Sequence, residues 1–338
     1  MSRPVKIIID LAAIQANCHL AQTLSPQSKT VAVVKADAYG HNAIEVAKAL
    51  EPQVEMLTVS CLEEALVLRE NGLHKPILLL EGCFESAELN IASASQCELV
   101  LHSQFQVEQL LNVTLKTPIN IWLKVDTGMH RLGILPDEVE AIYATLVACK
   151  NVKNIVLMTH FAHADDIGGD FTPKQISRFQ HAISNIIANS KPKVQLSMAN
   201  SAALLAWPQT RVDWNRPGIM LYGLSPFSEP NEQTKNLLPA MSFESQVIAL
   251  RDIPVGESVG YGCSWTAQRP SVIATIAVGY GDGYPRSAPS GTPVLINKQR
   301  VPLAGRVSMD MICVDVTDLS HIQIGDKTLL WGKGLSAN

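Results

Sequence analysis

The sequence predicts an α/β fold, with an N-terminal (β/α)8 barrel and a smaller, mainly-β C-terminal domain. The chain has 338 residues, enough for about two domains. Short apolar runs alternate with segments of helical periodicity over roughly the first 220 residues, a pattern typical of parallel strands covered by helices. From about Phe227 onward the chain changes to short runs closed by Gly and Pro. The predicted domains are therefore residues 1–227 and residues 228–338.

The barrel prediction depends on eight apolar strand candidates separated by helices. The strand candidates are Val31–Lys35, Met56–Ser60, Ile77–Leu80, Glu98–Leu101, Ile119–Val125, Ile155–His160, Val194–Met198 and Ile219–Tyr222. The helix candidates are His41–Leu50, Leu62–Glu70, Ser86–Ala94, Phe105–Leu111, Asp137–Cys149, Thr172–Asn189 and Ser201–Ala206. This number of units fits a closed barrel, and an open, doubly wound sheet is the competing topology. The turn after the first strand candidate lacks GxGxxG, which argues against the dinucleotide-binding form of that sheet.

A polar linker, residues 228–240, precedes the C-terminal domain. The strand candidates beyond it are Phe243–Leu250, Val272–Gly279, Val294–Ile296, Met311–Val316 and Thr328–Trp331. No long segment of helical period lies among these runs, so we expect a small all-β domain.

Composition argues against several classes of protein. Hydrophobic residues make up 47% and charged residues 17% of the chain, which suits a folded interior. A net charge of −4 provides no dominant basic surface for nucleic acid. No apolar stretch reaches about 18 residues, and we expect neither a transmembrane helix nor a signal peptide. Seven scattered cysteines indicate a reducing compartment, with the cytoplasm expected, and neither a disulfide framework nor a clustered zinc site.

Reactive polar residues follow the strand candidates at their carboxyl ends, where barrel enzymes hold their active sites. Lys35 comes after four apolar residues of the first strand candidate. A lysine that is poorly hydrated there can lose its proton and attack an aldehyde, whereas a lysine that extends into water is the alternative. The other residues at or near these ends are Lys124, Arg131, His160, Asn200 and Ser201, with Arg216, Gly218 and Ile219 around the eighth strand candidate.

Two of these positions suit an anion. Ser201 follows the seventh strand candidate and Gly218 lies beside the eighth, in the region where barrels often hold a phosphate. Ser201 begins a predicted helix, and Gly218 allows close approach of backbone. A plain helix cap is the other interpretation of Asn200 and Ser201.

His160 and His163 precede two aspartates and resemble a metal cluster. The sequence has neither HExxH nor a neighbouring cysteine there, so contact of His160 with an organic cofactor is the favoured interpretation. In the second domain, Tyr261 lies between two glycines, either as an approachable phenol or as a turn aromatic. Tyr280 lies in a Gly-rich loop that lacks the P-loop pattern.

Taken together, these segments resemble the alanine racemases, fold-type III enzymes that use pyridoxal phosphate. The resemblance runs from Ile7 to Gly334 and is carried, in family order, by VVKADAYGH, LKVDTGMHRLG, THFAHAD, ANSAA, RPGIMLYG, GYGCSWTA, GYGDGY and GRVSMDM. It implies a TIM barrel with a C-terminal β domain, working as a head-to-tail homodimer whose active sites take residues from both subunits. It also implies interconversion of L- and D-alanine, either supplying D-alanine for peptidoglycan or breaking it down.

The resemblance implies a role for each barrel residue. Lys35 would be modified as the aldimine of pyridoxal phosphate, His160 would pack near its pyridine ring, and Arg216 would face its pyridine nitrogen. Lys124 matches a lysine that is often carbamylated, and its new carboxylate would orient Arg131 toward the substrate carboxylate. The residues expected around the cofactor phosphate are Tyr39, Ser201, Gly218 and Ile219, with Asn200 beside them.

The C-terminal domain would supply residues to the neighbouring subunit. Tyr261 would be the second catalytic base, removing the proton of L-alanine while Lys35 removes that of D-alanine. Met309 would help to bind the substrate carboxylate, and Tyr280 and Asp310 would line the entry or substrate pocket.

The sequence departs from the family in two places. Asn42 stands where the family often has Gly. The family usually continues beyond the equivalent of GKGLSAN with a segment that contains a tyrosine near the phosphate, whereas this sequence ends at Asn338.

Three other functions share some of these features. A non-catalytic, pyridoxal phosphate-binding housekeeping protein would share the barrel and the lysine but would end after the barrel. A fold-type III decarboxylase would place an acidic residue opposite the pyridine nitrogen, where this chain has Arg216. A metal-dependent barrel enzyme would need a set of carboxylates that the motifs lack.

Overall fold

A computed structural model of the protein describes residues 3–229 and 231–337. The chain forms two compact units. One consists of residues 11–238, here called the barrel unit. The other, the β unit, combines the N-terminal residues up to Asp10 with the residues from Pro239 onward.

Both units are built on strands. In chain order these are β1 (Lys6–Ile9), β2 (Lys29–Val33), β3 (Met56–Val59), β4 (Ile77–Leu79), β5 (Cys97–Leu101), β6 (Ile119–Lys124), β7 (Val152–Met158), β8 (Gln195–Ser197), β9 (Trp214–Asn215), β10 (Met241–Ile253), β11 (Ser258–Val259), β12 (Trp265–Thr266), β13 (Ser271–Ile276), β14 (Pro293–Ile296), β15 (Gln299–Pro302), β16 (Ile312–Asp315) and β17 (Lys327–Trp331). The α-helices are Leu11–Leu24, Ala43–Leu50, Leu62–Glu70, Ser86–Ala94, Gln104–Asn112, Val139–Val147, Phe171–Asn189 and Ser201–Ala206, with a further short helical segment at Lys35–Gly40.

Strands β2 to β9 form a closed parallel barrel in sequence order, which confirms the predicted fold. The competing open sheet is excluded because the last barrel strand pairs with the first, Lys29 opposite Trp214. Inward-facing side chains fill the barrel, as in a packed core. They are Val31, Met56, Leu78, Val100, Trp122, Val156, Met158 and Trp214.

Several predicted strand boundaries were wrong, and two of the errors have a clear local cause. The eighth barrel strand is Trp214–Asn215, and the predicted strand Ile219–Tyr222 is a 3₁₀ helix closed by Gly223 at φ +77°. The apolar pattern missed Trp214–Asn215 because this strand is short and is followed by a polar residue that is nevertheless buried, Arg216. The first barrel strand ends at Val33 instead of Lys35, because the next residues turn into a left-handed conformation.

The β unit contains an antiparallel sheet in the order β15-β14-β17-β10-β13-β16, with β1 paired to β10. Its core includes Phe243, Ile276, Val294 and Val314, all essentially inaccessible. The mainly-β character is thus as predicted. The sequence analysis missed β1, β11, β12 and β15, which are short and carry exposed or polar residues.

Among the residues that the structure describes, no helix is both long and apolar enough to cross a membrane.

Candidate active site

The carboxyl ends of the barrel strands surround a cavity of about 600 Å³, here called the barrel cavity. All ten barrel residues that the sequence analysis selected line it. They are Lys35, Tyr39, Lys124, Arg131, His160, Asn200, Ser201, Arg216, Gly218 and Ile219. The rule that barrel enzymes act at strand carboxyl ends therefore gathers these residues correctly, although it assigns none of them a role.

Lys35 is half-buried and opens a strained turn. The next four residues, Ala36 to Tyr39, all have φ between 51 and 56°, a left-handed turn. For residues with a Cβ this conformation costs about 1–2 kcal/mol each. Side chains hold the turn from outside: the Ala36 amide donates to Glu64 Oε1 at 2.7 Å, and the Ala43 amide donates to Asp37 Oδ1 at 2.7 Å. Strain of this kind concentrates at functional sites, here between Lys35 and Tyr39.

The turn brings Tyr39 against Gly218 at one corner of the barrel cavity. A Cβ at position 218 would lie 3.0 Å from the Tyr39 hydroxyl, so glycine permits this approach. Ser201 Oγ lies at the same corner and accepts from the amides of Gly218 at 2.9 Å and Met220 at 3.3 Å. The Tyr39 ring stacks on Tyr222 with centroids 4.9 Å apart. The hydroxyl groups of Tyr39 and Ser201 are donors at this corner, which suits it to an anion such as phosphate.

Asn200 caps the helix that begins at Ser201. Its Oδ1 accepts from the Ala203 amide at 3.0 Å, and its Nδ2 donates to the Phe161 carbonyl at 3.3 Å. Asn200 is therefore a helix cap, and it lies next to the corner that Tyr39, Ser201 and Gly218 form.

Arg216 is buried without a carboxylate partner among the described residues. Its guanidinium donates to the carbonyls of Thr159 at 2.7 Å and Met198 at 3.3 Å, and to Ser197 Oγ. Ser197 accepts with its oxygen because its own proton is donated to the Trp214 carbonyl at 2.9 Å. Burial lowers the pKa of Arg216 to about 10, so the guanidinium stays charged near neutral pH.

His160 lies beside this guanidinium, with Nδ1 3.4 Å from Arg216. Burial, followed by the positive charges of Arg216 and Lys124, holds the pKa of His160 well below its ordinary value. The imidazole is therefore neutral at pH 7. Because Arg216 is a donor only, Nδ1 must act as the acceptor, which places the ring proton on Nε2.

Lys124 is 7% exposed at the end of β6. Its burial, together with the positive charges of Arg131 and Arg216, lowers its pKa from 10.5 to about 8. A measurable fraction of this amine is thus unprotonated near neutral pH, which is the form that reacts with electrophiles.

Arg131 is carried by a loop that Asp126 organises. Asp126 Oδ1 accepts from the amides of Gly128 at 2.9 Å, Met129 at 3.0 Å and His130 at 3.1 Å. Burial alone would raise the pKa of Asp126, but these hydrogen bonds and the neighbouring His130 outweigh it and lower the pKa. The loop closes where the Asp126 amide donates to the Ile134 carbonyl at 2.9 Å.

The four residues selected in the C-terminal domain share a second cavity of about 990 Å³, within the β unit and here called the β-unit groove. Tyr261 is 72% exposed and Met309 is 55% exposed, and Tyr280 and Asp310 also line the groove. The Arg286 guanidinium lies 5.5 Å from the centre of the Tyr280 ring. The structure thus brings the predicted residues together in two sets, one in each unit.

The HADD loop shows no metal arrangement. His163 lies between Asp165, 3.6 Å from Nδ1, and Asp166, 3.9 Å from Nε2. Across the part of the chain that the structure describes, no group of three His, Cys, Asp or Glu side chains is placed to hold a metal ion.

Sequence reasoning missed some residues of these sites. Ser197 holds Arg216, and it lies at the carboxyl end of a predicted strand, so the same rule could have found it. Glu81 and Phe161 also line the barrel cavity. Arg286 and Arg306 line the β-unit groove and carried no signal beyond their charge.

Comparisons with known proteins identify the family. The sequence profile of the alanine racemase N-terminal domain matches residues 9–226, and that of the alanine racemase C-terminal domain matches residues 240–338. An alanine racemase of Pseudoalteromonas atlantica is 51% identical, across 100% of this chain and 92% of that protein. A catabolic alanine racemase of Pseudomonas putida is 44% identical, across 99% of this chain and 92% of that protein.

A solved structure gives the same result. The crystal structure of biosynthetic alanine racemase from Pseudomonas aeruginosa superposes with a TM-score of 0.94 and 46% identity, covering 99% of this chain and 92% of that one. With both domain profiles matched and these identities over nearly the full length, the chain belongs to the alanine racemase family.

Proposed function

We propose that this protein interconverts L- and D-alanine with pyridoxal phosphate as its cofactor. The observation that carries the proposal is the composition of the barrel cavity. It is lined by Lys35, by Arg216, which has no carboxylate partner among the described residues, and by the corner that Tyr39, Ser201 and Gly218 form. Membership of the alanine racemase family supports the reaction, and the cavity supports the cofactor.

The residues present fit this cofactor. The corner between Tyr39 and Gly218 offers the hydroxyl groups of Tyr39 and Ser201 at a place where a Cβ would obstruct the approach, which suits a phosphate. Lys35 opens into the same cavity with an amine. When bound, pyridoxal phosphate supplies an aldehyde that reacts with amines and a ring that withdraws electrons from Cα.

Arg216 decides which reaction follows. Its guanidinium has no acceptor and remains charged, so facing the ring nitrogen it would hold that nitrogen unprotonated. More of the negative charge left by proton removal would then stay on Cα. This favours return of the proton to Cα over its delivery to an atom of the cofactor. The carbonyls of Thr159 and Met198 fix the guanidinium from behind. This arrangement argues against the decarboxylase alternative, which needs an acid there.

Two bases on opposite faces of Cα are required for racemisation without turning the substrate. We assign Lys35 to one face, where it takes the proton of D-alanine. We assign Tyr261 of a second copy to the other face, where it takes the proton of L-alanine. The 72% exposure of Tyr261 leaves its phenol accessible to a partner. A homodimer with shared sites is therefore part of the proposal, with Tyr280, Met309 and Asp310 entering from the same groove.

Arg131 and Lys124 complete the substrate side. Arg131 would bind the alanine carboxylate, together with Met309 of the second copy. An ammonium at Lys124 would oppose a second cation at Arg131, and burial followed by this repulsion lowers the pKa of Lys124. A carbamate formed on Lys124 reverses the sign and would orient Arg131, and we propose that Lys124 is carbamylated.

The relatives include both a catabolic and a biosynthetic racemase, so either supply of D-alanine for peptidoglycan or its breakdown suits this fold. The seven cysteines are all unpaired, and three of them, Cys18, Cys83 and Cys97, are buried. Unpaired thiols favour a reducing compartment, and we propose the cytoplasm.

The decisive experiment follows alanine in deuterated water. Protein loaded with pyridoxal phosphate is given L-alanine, and the fraction of D-alanine and the deuterium at Cα are measured by chiral chromatography and mass spectrometry. We expect both to rise to equilibrium. Binding of the cofactor without exchange at Cα would support the housekeeping protein instead, and release of carbon dioxide from an amino acid would support a decarboxylase.

A further inference from the structure

The N-terminal segment of the β unit reaches two loops of the β-unit groove through one side chain. Arg3 Nη1 and Nη2 donate to the two carboxylate oxygens of Asp282 at 3.0 and 2.9 Å. The same guanidinium donates to the Asp310 carbonyl at 2.6 Å and lies 3.4 Å from Asp310 Oδ1. Paired, parallel hydrogen bonds of this kind are among the most directional that a protein makes.

The two loops are already joined by backbone. The Tyr280 amide donates to the Ser308 carbonyl at 3.0 Å, and the Gly281 amide donates to the Met309 carbonyl at 2.8 Å. A Cβ at Gly279 would lie 2.3 Å from the Ser308 carbonyl, so the backbones are in direct contact. Asp282 also accepts from the Gly279 amide at 2.9 Å, which ties its carboxylate to its own loop.

Arg3 adds a constraint that these backbone bonds do not provide. It joins the carboxylate of the first loop to the carbonyl of Asp310, the residue directly after Met309. The Met309 side chain is exposed, so its position depends mainly on the backbone around it. The hydrogen bonds of Arg3 to Asp282 and Asp310 are here called the clasp. The Arg3 side chain is 38% exposed, so the clasp is partly screened by water and its effect is moderate.

We infer that Arg3 is a positioning residue, which acts through Asp282 and Asp310 to fix the loops that present Tyr280 and Met309. The inference rests on the proposed function, in which those loops enter the alanine site of a second copy. Without the clasp, the loops sample more conformations, and substrate binding must order them again. The substrate-binding step therefore weakens more than the chemical step.

The same segment offers a matched control. Lys6 Nζ forms an ion pair with Glu244 Oε2 at 3.2 Å, between β1 and β10. This pair is also exposed, but it contacts neither loop of the groove. Loss of a merely structural tether of the N-terminal segment would affect both variants alike.

The test uses the full chain loaded with pyridoxal phosphate and compares Arg3→Met, Arg3→Lys and Lys6→Met. We expect Arg3→Met to raise the KM for alanine about fivefold, the scale of a well-formed exposed ion pair, with kcat nearly unchanged. Arg3→Lys should recover part of the loss, since an ammonium pairs with Asp282 but lacks the planar fork. Lys6→Met should keep the wild-type KM. Adding Asp282→Asn to Arg3→Met should raise the KM little further, because both changes break one clasp.

A second readout does not depend on activity. Hydrogen–deuterium exchange of the amides in residues 305–311 should speed up in Arg3→Met and stay unchanged in Lys6→Met. Wild-type exchange and wild-type KM in Arg3→Met would overturn the positioning role, as would equal losses in both variants. A wild-type protein that fails to racemise alanine would instead overturn the proposed function, and the exchange experiment would still decide the role of Arg3.

Discussion

The barrel cavity and the β-unit groove differ in how deeply their selected side chains are buried. In the barrel cavity, Arg216 is 4% exposed and Lys124 is 7% exposed, and both pKa values are lowered by burial. In the groove, Tyr261 is 72% exposed and Met309 is 55% exposed. A buried charge without a counterion is costly, so the cavity is built for an anionic occupant. The side chains of Tyr261 and Met309 incur no such cost, and both are accessible to the second copy that we propose.

This difference separates what one chain provides from what an assembly provides. The cavity has its own rigid supports, such as the Thr159 carbonyl behind Arg216. The groove presents its phenol on a turn between two glycines with little packing around it. If the second base comes from another copy, each region is incomplete alone, and changes in the two regions must have different consequences.

The largest effect is expected at Lys35. Lys35→Ala should reduce racemisation by at least about a thousandfold, because it removes a base that acts on Cα. It should also abolish the visible absorbance of bound pyridoxal phosphate that borohydride removes. Lys48→Ala, an exposed lysine on the neighbouring helix, serves as the control and should retain both properties. Racemisation at the wild-type rate in Lys35→Ala would refute the assignment.

Tyr261→Phe should lower racemisation by about a hundredfold or more, while the protein still binds the cofactor and still exchanges the Cα proton of D-alanine through Lys35. Mixing this variant with Lys35→Ala tests the assembly. Half of the re-associated dimers would be mixed, and one of the two sites in each would be complete, so about a quarter of the wild-type activity should return. Unchanged, near-zero activity after verified subunit exchange would contradict the shared site.

The sequence was sufficient for the barrel and for its cavity because both depend on simple regularities. Apolar strands alternate with helices, and the reactive residues follow strand ends, which places Lys35 and His160 in one cavity. The same reasoning did not find the eighth strand, because Trp214–Asn215 is too short to form an apolar run. The left-handed turn after Lys35 was also invisible, because four consecutive non-glycine residues in that conformation follow no local preference.

The groove was harder to predict. The roles of Tyr261 and Met309 came from the family resemblance, since the sequence around an exposed phenol or an exposed thioether assigns it no function. The contact of Arg3 with Asp282 joins residues 279 positions apart, and no periodicity predicts such a pair. Ser197 is different: its place at a strand end was visible, but its function as an acceptor for Arg216 needed coordinates.

Arg216→Glu should change the outcome of the reaction more than its rate. A carboxylic acid at this position can keep the ring nitrogen protonated, so that the ring would draw more negative charge away from Cα. The proton would then return more often to an atom of the cofactor than to Cα. We expect pyruvate to accumulate from alanine by transamination, with the number of racemisations per transamination falling about tenfold or more. Counting products per turnover makes the result independent of how much protein folds. Arg216→Lys keeps the charge and should keep the wild-type ratio, and an unchanged ratio in Arg216→Glu would contradict the argument.

The smallest effect concerns Lys124 and depends on pH. The pKa of its amine falls from 10.5 to about 8 in the folded chain, and carbon dioxide reacts only with the unprotonated amine. As pH drops through about 8 the amine is protonated, so carbamate should be lost and the KM for alanine should rise a few-fold. Carbon-13 NMR with labelled bicarbonate measures the carbamate directly.

The stability of the protein gives a second measurement. Between about pH 8 and pH 10.5, an unmodified Lys124 binds a proton in the unfolded state but not in the folded state. Without carbon dioxide, Lys124 therefore adds to the melting temperature a contribution that increases with pH across that range. Because a carbamate replaces the titrating amine, bicarbonate should remove that contribution, and an identical pH dependence with and without bicarbonate would show that Lys124 remains a plain amine.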